Sequence, residues 1–248
     1  MLARTLEPEL MDTDRDARQY DAMDHAAVNE RFVTDLIAAM PRGRAPLRVA
    51  AKPPHGDDVS FSRDAEARRS GALTVLDLGA GTAQIPIELC RRAPGVRVVA
   101  VDAAQRMLAV ARENVATAGL VDRIDIVLAD AKRLPFASGR YPVVISNSIL
   151  HHIAEPATVI AEAIRVAAPG GLLFHRDLAR PDDEAELDRI VATYAAGATP
   201  LQRKLFADSL HAAITLEEVR DLVAHRGFSP DTVQRTSDRH WTWLAERS

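Results

Sequence analysis

The chain has a single cysteine, Cys90, in 248 residues. An internal disulfide is therefore excluded, and a reducing, cytoplasmic setting is expected. No apolar run is long enough to cross a bilayer. The opening Met1-Leu-Ala-Arg-Thr-Leu-Glu-Pro-Glu9 is broken by charges and does not read as a secretory signal. Positive charge is not in excess: 31 Lys and Arg face 35 Asp and Glu, a formal net charge of −4. That balance gives no electrostatic reason to expect nucleic acid as a partner. There is no internal repeat and no Gly-Lys-Ser/Thr of a phosphate-cradling loop. No His, Cys and acidic residues fall at metal-ligand spacing, so no metal is expected.

What is present is a core. Apolar residues make up 47% of the chain, and its length suits one large α/β domain or a domain with a cap. The most informative stretch is Val75-Leu-Asp-Leu-Gly-Ala-Gly-Thr-Ala-Gln84. Val75, Leu76 and Leu78 form the apolar run of a strand covered on both faces. Gly79 and Gly81 allow a sharp turn and close approach of a ligand. Ile85, Ile87 and Leu89 then begin a helix whose N-terminus points at the turn, a unit that holds nucleotide-like ligands. The dinucleotide fingerprint needs a third glycine where Gln84 stands, which argues against NAD or FAD. Asp77, a carboxylate at the end of a buried strand, is costly unless it meets something polar. An amino acid ammonium group suits it.

Asp77-Leu-Gly-Ala-Gly-Thr82 resembles the first motif of the class I S-adenosylmethionine-dependent methyltransferases, and the resemblance runs through residues 73–177. Val98-Val-Ala-Val-Asp102 is similar to their second strand, whose final acid bonds the ribose hydroxyls. The segment from Ala103 to Leu108 resembles the adenine-contacting turn and helix, with Met107 as a packing residue. Ile126-Val-Leu-Ala-Asp130-Ala131 is similar to the third strand and its loop, where the acid meets the adenine amino group. The stretch from Val143 through Asn147 to His152 resembles the fourth strand and the loop beside the methyl group. Structural roles remain open beside these: Asp102 as a helix cap, Asp130 in an Asx-turn, Met107 as ordinary core.

The resemblance implies a Rossmann-like α/β fold: seven strands, mostly parallel, helices on both faces, and an antiparallel C-terminal edge strand. Residues 1–40 are expected as a helical lid, with one amphipathic helix over 21–40, and 41–72 as a linker or surface loop. Residues 73–248 form the catalytic domain. Within it Pro169-Gly170-Gly171 is expected to turn into a fifth strand over 172–177. Two helices over 182–211 insert near the substrate pocket. Thr215 and Glu218 form a capping box. Short strands near 230–236 and 239–245 close the sheet, the second an aromatic edge strand containing Trp241 and Trp243.

The cofactor implied is S-adenosylmethionine, leaving as S-adenosylhomocysteine. Its sulfonium already activates the methyl group, so the protein chiefly positions the acceptor. A base is needed when the acceptor loses a proton. Histidine suits that task near neutral pH: His151 and His152 follow the fourth strand, and His175 lies near the end of the fifth. One of the first pair is expected to face the pocket and the other to pack on the sheet. Arg176 either grips an anionic substrate or pairs with Asp177. Tyr20, His25 and Asn29 are lid candidates. Ser146-Asn147-Ser148-Ile149 lacks the Asn/Asp-Pro-Pro-Tyr/Phe of adenine- and glutamine-methylating enzymes, and the chain is more similar to the small-molecule branch containing the ubiquinone and menaquinone C-methyltransferases. A small-molecule acceptor and a monomer or homodimer are expected. The alternatives are a cofactor-binding regulatory or degenerate homologue, an RNA or protein methyltransferase, and, against Gln84, a dinucleotide oxidoreductase.

Overall fold

Seven strands form one sheet in the order β3-β2-β1-β4-β5-β7-β6. The computed structural model describes residues 2–7, 9, 12–23, 25–40 and 72–248. The strands are β1 Leu73–Leu78, β2 Val96–Asp102, β3 Ile124–Leu128, β4 Tyr141–Asn147, β5 Ala167–Leu178, β6 Val233–Arg235 and β7 His240–Glu246. Strands β1 to β5 pair in parallel, while β7 pairs antiparallel with both β5 and β6. The described helices are α1 Asp14–Asp21, α2 Ala26–Ala39, α3 Gln84–Arg92, α4 Gln105–Thr117, α5 Pro156–Val166, α6 Glu184–Tyr194, α7 Pro200–Ala212 and α8 Leu216–Ala224.

Both faces of the sheet are covered, which is why the central strands read as continuous apolar runs. Along β1, Val75 enters one core with Phe32 and Leu36 of α2 and Leu89 of α3. Its neighbours Leu76 and Leu78 enter the other, with Val159 of α5, Val219 of α8, Trp241 and Trp243. Side chains that alternate across a strand produce this division. A smaller cluster joins Leu178 to Leu187 and Ile190 of α6 and Leu210 of α7, so the two inserted helices stand at the end of β5. Capping boxes at Thr199–Gln202 and Thr215–Glu218 start α7 and α8.

Several expectations change. The helix expected over 21–40 is present but starts at Ala26, and a separate helix over Asp14–Asp21 precedes it. Pro169-Gly170-Gly171 is not a turn ahead of β5 but an irregularity inside it. The register passes from Tyr141↔Ala167 to Val143↔Leu172, so β5 carries extra residues there, and Gly170 takes the positive φ of 70° that such a bulge needs. The aromatic strand is not at the edge: β7 lies between β5 and β6, and Trp241 and Trp243 are fully buried. The expected linker, apart from residue 72, lies outside the described residues.

Candidate active site

Two adjoining cavities open at the carboxyl ends of β1, β2 and β4, where ligands of open α/β sheets bind. The smaller, about 190 Å³, is lined by Asp77, Gly79, Tyr20, His25, Asn29 and Asn147 among others. The larger, about 570 Å³, runs from Gly81, Asp102, Ala103, Met107, Asp130 and Ala131 past Asn147 to His151 and His152. The expected cofactor residues thus line one continuous region.

The turn after β1 is built around glycine. Gly79 and Gly81 hold φ values of 72° and 54°. A Cβ on Gly79 would fall 2.6 Å from Ile149 Cγ2, so the turn and the loop after β4 are in contact with no room for a side chain. Asp102 fastens the turn: Oδ2 accepts from Gly81 N and Oδ1 from Ala104 N, each at 2.8 Å. Each oxygen keeps lone-pair capacity for a vicinal diol. Asp77 is 2% exposed; burial, and then the charge of Asp102, push its carboxyl well above the usual carboxylate range. Such an acid is relieved by a cation at the strand end. Asn147 Oδ1 is buried without a hydrogen-bond partner among the described residues, on the wall shared by both cavities. An orphaned acceptor, two acids and a glycine cradle fit the amino acid, sulfonium and ribose parts of S-adenosylmethionine.

Asp130 lines the larger cavity and also forms an Asx-turn, its Oδ1 accepting from Lys132 N at 2.8 Å. Met107 lines the cavity while packing with Ala17, Ala104 and Val110. The N-terminal helices cover this half. Asp21 accepts from Gln84 Nε2 at 2.9 Å and Asn114 Nδ2 at 2.8 Å, holding α1 against α3 and α4. Tyr20 then lies 3.6 Å from where a Gly81 Cβ would be. Burial, with Asp102 and Asp77 nearby, pushes its hydroxyl up to about 12.

The far half is built on a short 3₁₀ turn, Leu150–His152. Both histidines line the cavity, where one was expected to pack on the sheet. His151 is buried, with Nδ1 2.5 Å from Asp177 Oδ1. Asp177 also accepts from Leu150 N at 2.6 Å and Leu178 N at 2.7 Å. Burial would raise its carboxyl, but the His151 charge and these donors hold it below its ordinary value. Burial alone would lower the His151 pKa; Asp177, with Glu7 behind it, outweighs burial and raises it. Glu7 comes from the N-terminal segment: its Oε1 is 3.1 Å from His152 Nδ1 and 3.5 Å from His151 Nε2. Ser209 of α7 donates to the same carboxylate at 3.1 Å.

Glu7, His151 and His152 are thereby gathered within 4.8 Å, close enough to share an ion. The sequence could not anticipate this cluster, because Glu7 is distant in the chain. The rings, however, stack with centroids 4.1 Å apart and planes 35° from each other. Glu7 meets both rings at ion-pair distance, without a hydrogen bond to His152 Nδ1.

Two expected residues lie elsewhere. His175 is fully buried, faces Trp243 across the β5–β7 ladder with ring centroids 5.3 Å apart, and lines neither cavity. Burial lowers its pKa to about 4, so it is a neutral core ring rather than a base. Arg176 grips no cavity and does not pair with Asp177. Neighbours on a strand point to opposite faces, and Arg176 donates instead to Thr242 Oγ1 and Asp35 Oδ2, both at 2.8 Å. Glu7 and the His151–Asp177 pair are what sequence reasoning missed.

The sheet order and the glycine turn define a Rossmann-like methyltransferase fold. Residues 75–171 match the family described as methyltransferase domain. A ubiquinone/menaquinone biosynthesis C-methyltransferase, UbiE, of Cereibacter sphaeroides is 34% identical over 100 residues, 40% of each chain. A demethylmenaquinone methyltransferase of Thermus thermophilus is 38% identical over 120 residues, 48% of this chain and 54% of that one. The matched region thus spans about half or less of these relatives' lengths. A solved putative S-adenosylmethionine-dependent methyltransferase of Methanococcus maripaludis superposes with a TM-score of 0.64 at 17% identity, covering 98% of this chain and 97% of that one. Residues 75–171 thus match a methyltransferase domain, and the fold is shared with a solved S-adenosylmethionine-dependent methyltransferase.

Proposed function

We propose that this protein transfers the methyl group of S-adenosylmethionine to a small-molecule acceptor that gives up a proton. The observation that carries this reading is the larger cavity. It continues from the cofactor residues into a chamber walled by Ile149, Ile153, Leu178 and Phe206, with His151 and His152 at its edge. A mostly apolar chamber with a few polar groups at one side is what a small organic acceptor requires. When bound, S-adenosylmethionine supplies a methyl group on a good leaving group. The chain does the rest. Asp77 and Asp102 hold the amino acid and ribose ends, and Asp130 and Met107 the adenine end. Tyr20, His25 and Asn29 cover the cofactor, which excludes water. The histidine cluster takes the acceptor's proton, the role general bases play. The carbonyl side of Asn147 faces the junction where donor and acceptor meet.

Calorimetry with S-adenosylmethionine and S-adenosylhomocysteine tests the cofactor half; micromolar binding is expected, and none tighter than millimolar overturns it. A panel of small phenols, hydroxy acids and amines, read by formation of S-adenosylhomocysteine, tests the acceptor half. Tight cofactor binding with no turnover on any of these, and turnover on RNA or protein, would replace it with the macromolecular reading.

A further inference from the structure

The larger cavity follows the order of the sheet. Its lining passes from Asp102 at the end of β2 and Gly79 after β1 to Asn147 at the end of β4, Leu178 at the end of β5 and His240 at the start of β7. Because β7 runs antiparallel, His240 pairs with Leu178 and the start of β7 lies at the carboxyl end of β5. From the β4 end to the β7 start is two strand spacings, roughly 10 Å. Charge is divided along this path. Asp102, Asp130 and Glu9, which pairs with Lys132 just after β3, line the cavity on the β2 and β3 side. At the β7 end stands Arg239, the one lysine or arginine among the described lining residues.

Arg239 is fixed at its base and along its side chain. Its N donates to Ser237 Oγ at 3.2 Å, and its carbonyl accepts from Ala179 N at 2.9 Å. The side chain is 14% exposed. Its guanidinium carbon lies 3.3 Å from the ring centroid of Tyr194, the last residue of α6. Tyr194 is itself held, its hydroxyl donating to Asp238 Oδ1 at 2.9 Å. Stacking occupies a face of the guanidinium, whereas its N–H groups lie in the plane. None of them donates a hydrogen bond among the described residues; the acid within ion-pair reach, Asp238, is 3.7 Å from Nη1. Asp238 also meets Arg189 at 3.5 Å. Two arginines therefore share one carboxylate, and the group keeps a net positive charge. His240 adds none, because burial, and then the charge of Arg239, lower its pKa to about 4. A half-desolvated guanidinium with unused in-plane donors is matched by an oxyanion.

We propose that Arg239 anchors an acidic acceptor: a small molecule whose carboxylate or phosphate meets the in-plane edge of this guanidinium, with the atom to be methylated toward Asn147. As a statement about the acceptor this rests on the methyltransfer reading; as a statement about binding it does not. The acids on the β2 and β3 side repel an anion, so the division of charge also sets which way round the molecule lies. The spacing of the two ends suits an acid whose charged group is separated from the methylated atom by a ring or a chain of several atoms. The apolar walls between them, Ile149, Ile153, Leu178 and Phe206, suit that intervening part.

Matched acids and amides test the anchor. Benzoate, 3-phenylpropionate and 4-phenylbutyrate, each beside its primary amide, are titrated calorimetrically into the full chain with and without S-adenosylhomocysteine; phenyl phosphate tests the phosphate source. In at least one pair the acid is expected to bind about tenfold more tightly than the amide. Arg239→Gln is expected to bring the two within about twofold, and Arg239→Lys to keep part of the difference, since it retains the charge and loses the fork. Asp238→Asn removes the competing carboxylate and leaves Tyr194 an acceptor, so it should enlarge the preference about threefold. No acid or phosphate preferred over the amides in wild type overturns the proposal. So does a preference that Arg239→Gln leaves intact, or one that Asp238→Asn fails to enlarge. A wild type that does not bind S-adenosylhomocysteine sinks the methyltransferase reading, while the acid preference of the protein alone still decides the anchor.

Discussion

His151 Nδ1 and Asp177 Oδ1 meet 2.5 Å apart in the interior, where the turn after β4 crosses the end of β5. The pair is shielded from solvent, so it is worth more than a surface contact and is costly to break on one side. Asp177→Asn is expected to lower stability by about 3 kcal/mol. The raised His151 pKa contributes fully below the ordinary imidazole value of 6.5 and is lost as pH rises through the raised value. The depressed Asp177 pKa contributes fully above 3.8 and is lost as pH falls through the depressed value. The gap between wild type and variant in thermal melts should therefore be widest between those two pH values and narrow on either side. A gap independent of pH from 3 to 9 would show that the pair carries no charge.

Asp102 fastens the turn, and the proposed ribose role gives it a second task that its removal would expose. Its oxygens fasten Gly81 and Ala104, and the remaining lone pairs face the cavity. Asp102→Ala is expected to weaken S-adenosylhomocysteine binding by about 1.5–3 kcal/mol, the scale of hydrogen bonds to a charged group. Calorimetry reads this directly. Equal affinities in variant and wild type would remove Asp102 from the ribose role.

Gly79 is constrained by backbone and neighbour together. Its positive φ and the 2.6 Å approach to Ile149 each oppose a side chain. Gly79→Ala should cost about 3–4 kcal/mol in urea denaturation, part from strain at φ above zero and part from overpacking. In an Ile149→Gly background only the backbone part remains, about 1–2 kcal/mol. The same penalty in both backgrounds would show that the turn and the β4 loop do not press on each other.

The fold and the lining of the cavities beside the glycine turn were legible because their signals are local. A buried strand, two glycines and an acid lie within Val75–Gly81, and strand–helix alternation repeats the pattern along the sheet. The β5 bulge was not legible, since Pro169-Gly170-Gly171 reads as a turn unless the partner register is known. Arg176 was assigned Asp177 as a partner by proximity in sequence, yet strand alternation sends the two side chains to opposite faces. Glu7 was invisible for another reason: nothing near residue 7 announces contact with residues 151 and 152. The histidine end of the larger cavity is assembled by tertiary contacts, and short-range patterns do not encode them.

Asp77 offers the sharpest separation of stability from function. Burial and the nearby Asp102 raise its carboxyl well above 3.8. An acid whose pKa is raised on folding costs stability as pH climbs from its unfolded value through the folded one, and the full cost remains above that. Asp77→Asn removes the ionisable group while keeping its size. The variant should melt at a higher temperature than wild type, with an advantage that grows with pH and then levels. Binding should suffer at the same time, because an ammonium placed at the end of β1 is matched by a carboxylate and not by an amide. A cation arriving there also draws Asp77 into its charged form, so S-adenosylmethionine binding should expel a proton to solvent. Calorimetry in buffers of different ionisation enthalpy measures that proton. Wild type should release up to one per site at a pH below the raised pKa, and Asp77→Asn none from this position. Equal proton release from both proteins, or a variant that is no more stable at high pH, would mean that Asp77 is already charged before the cofactor arrives.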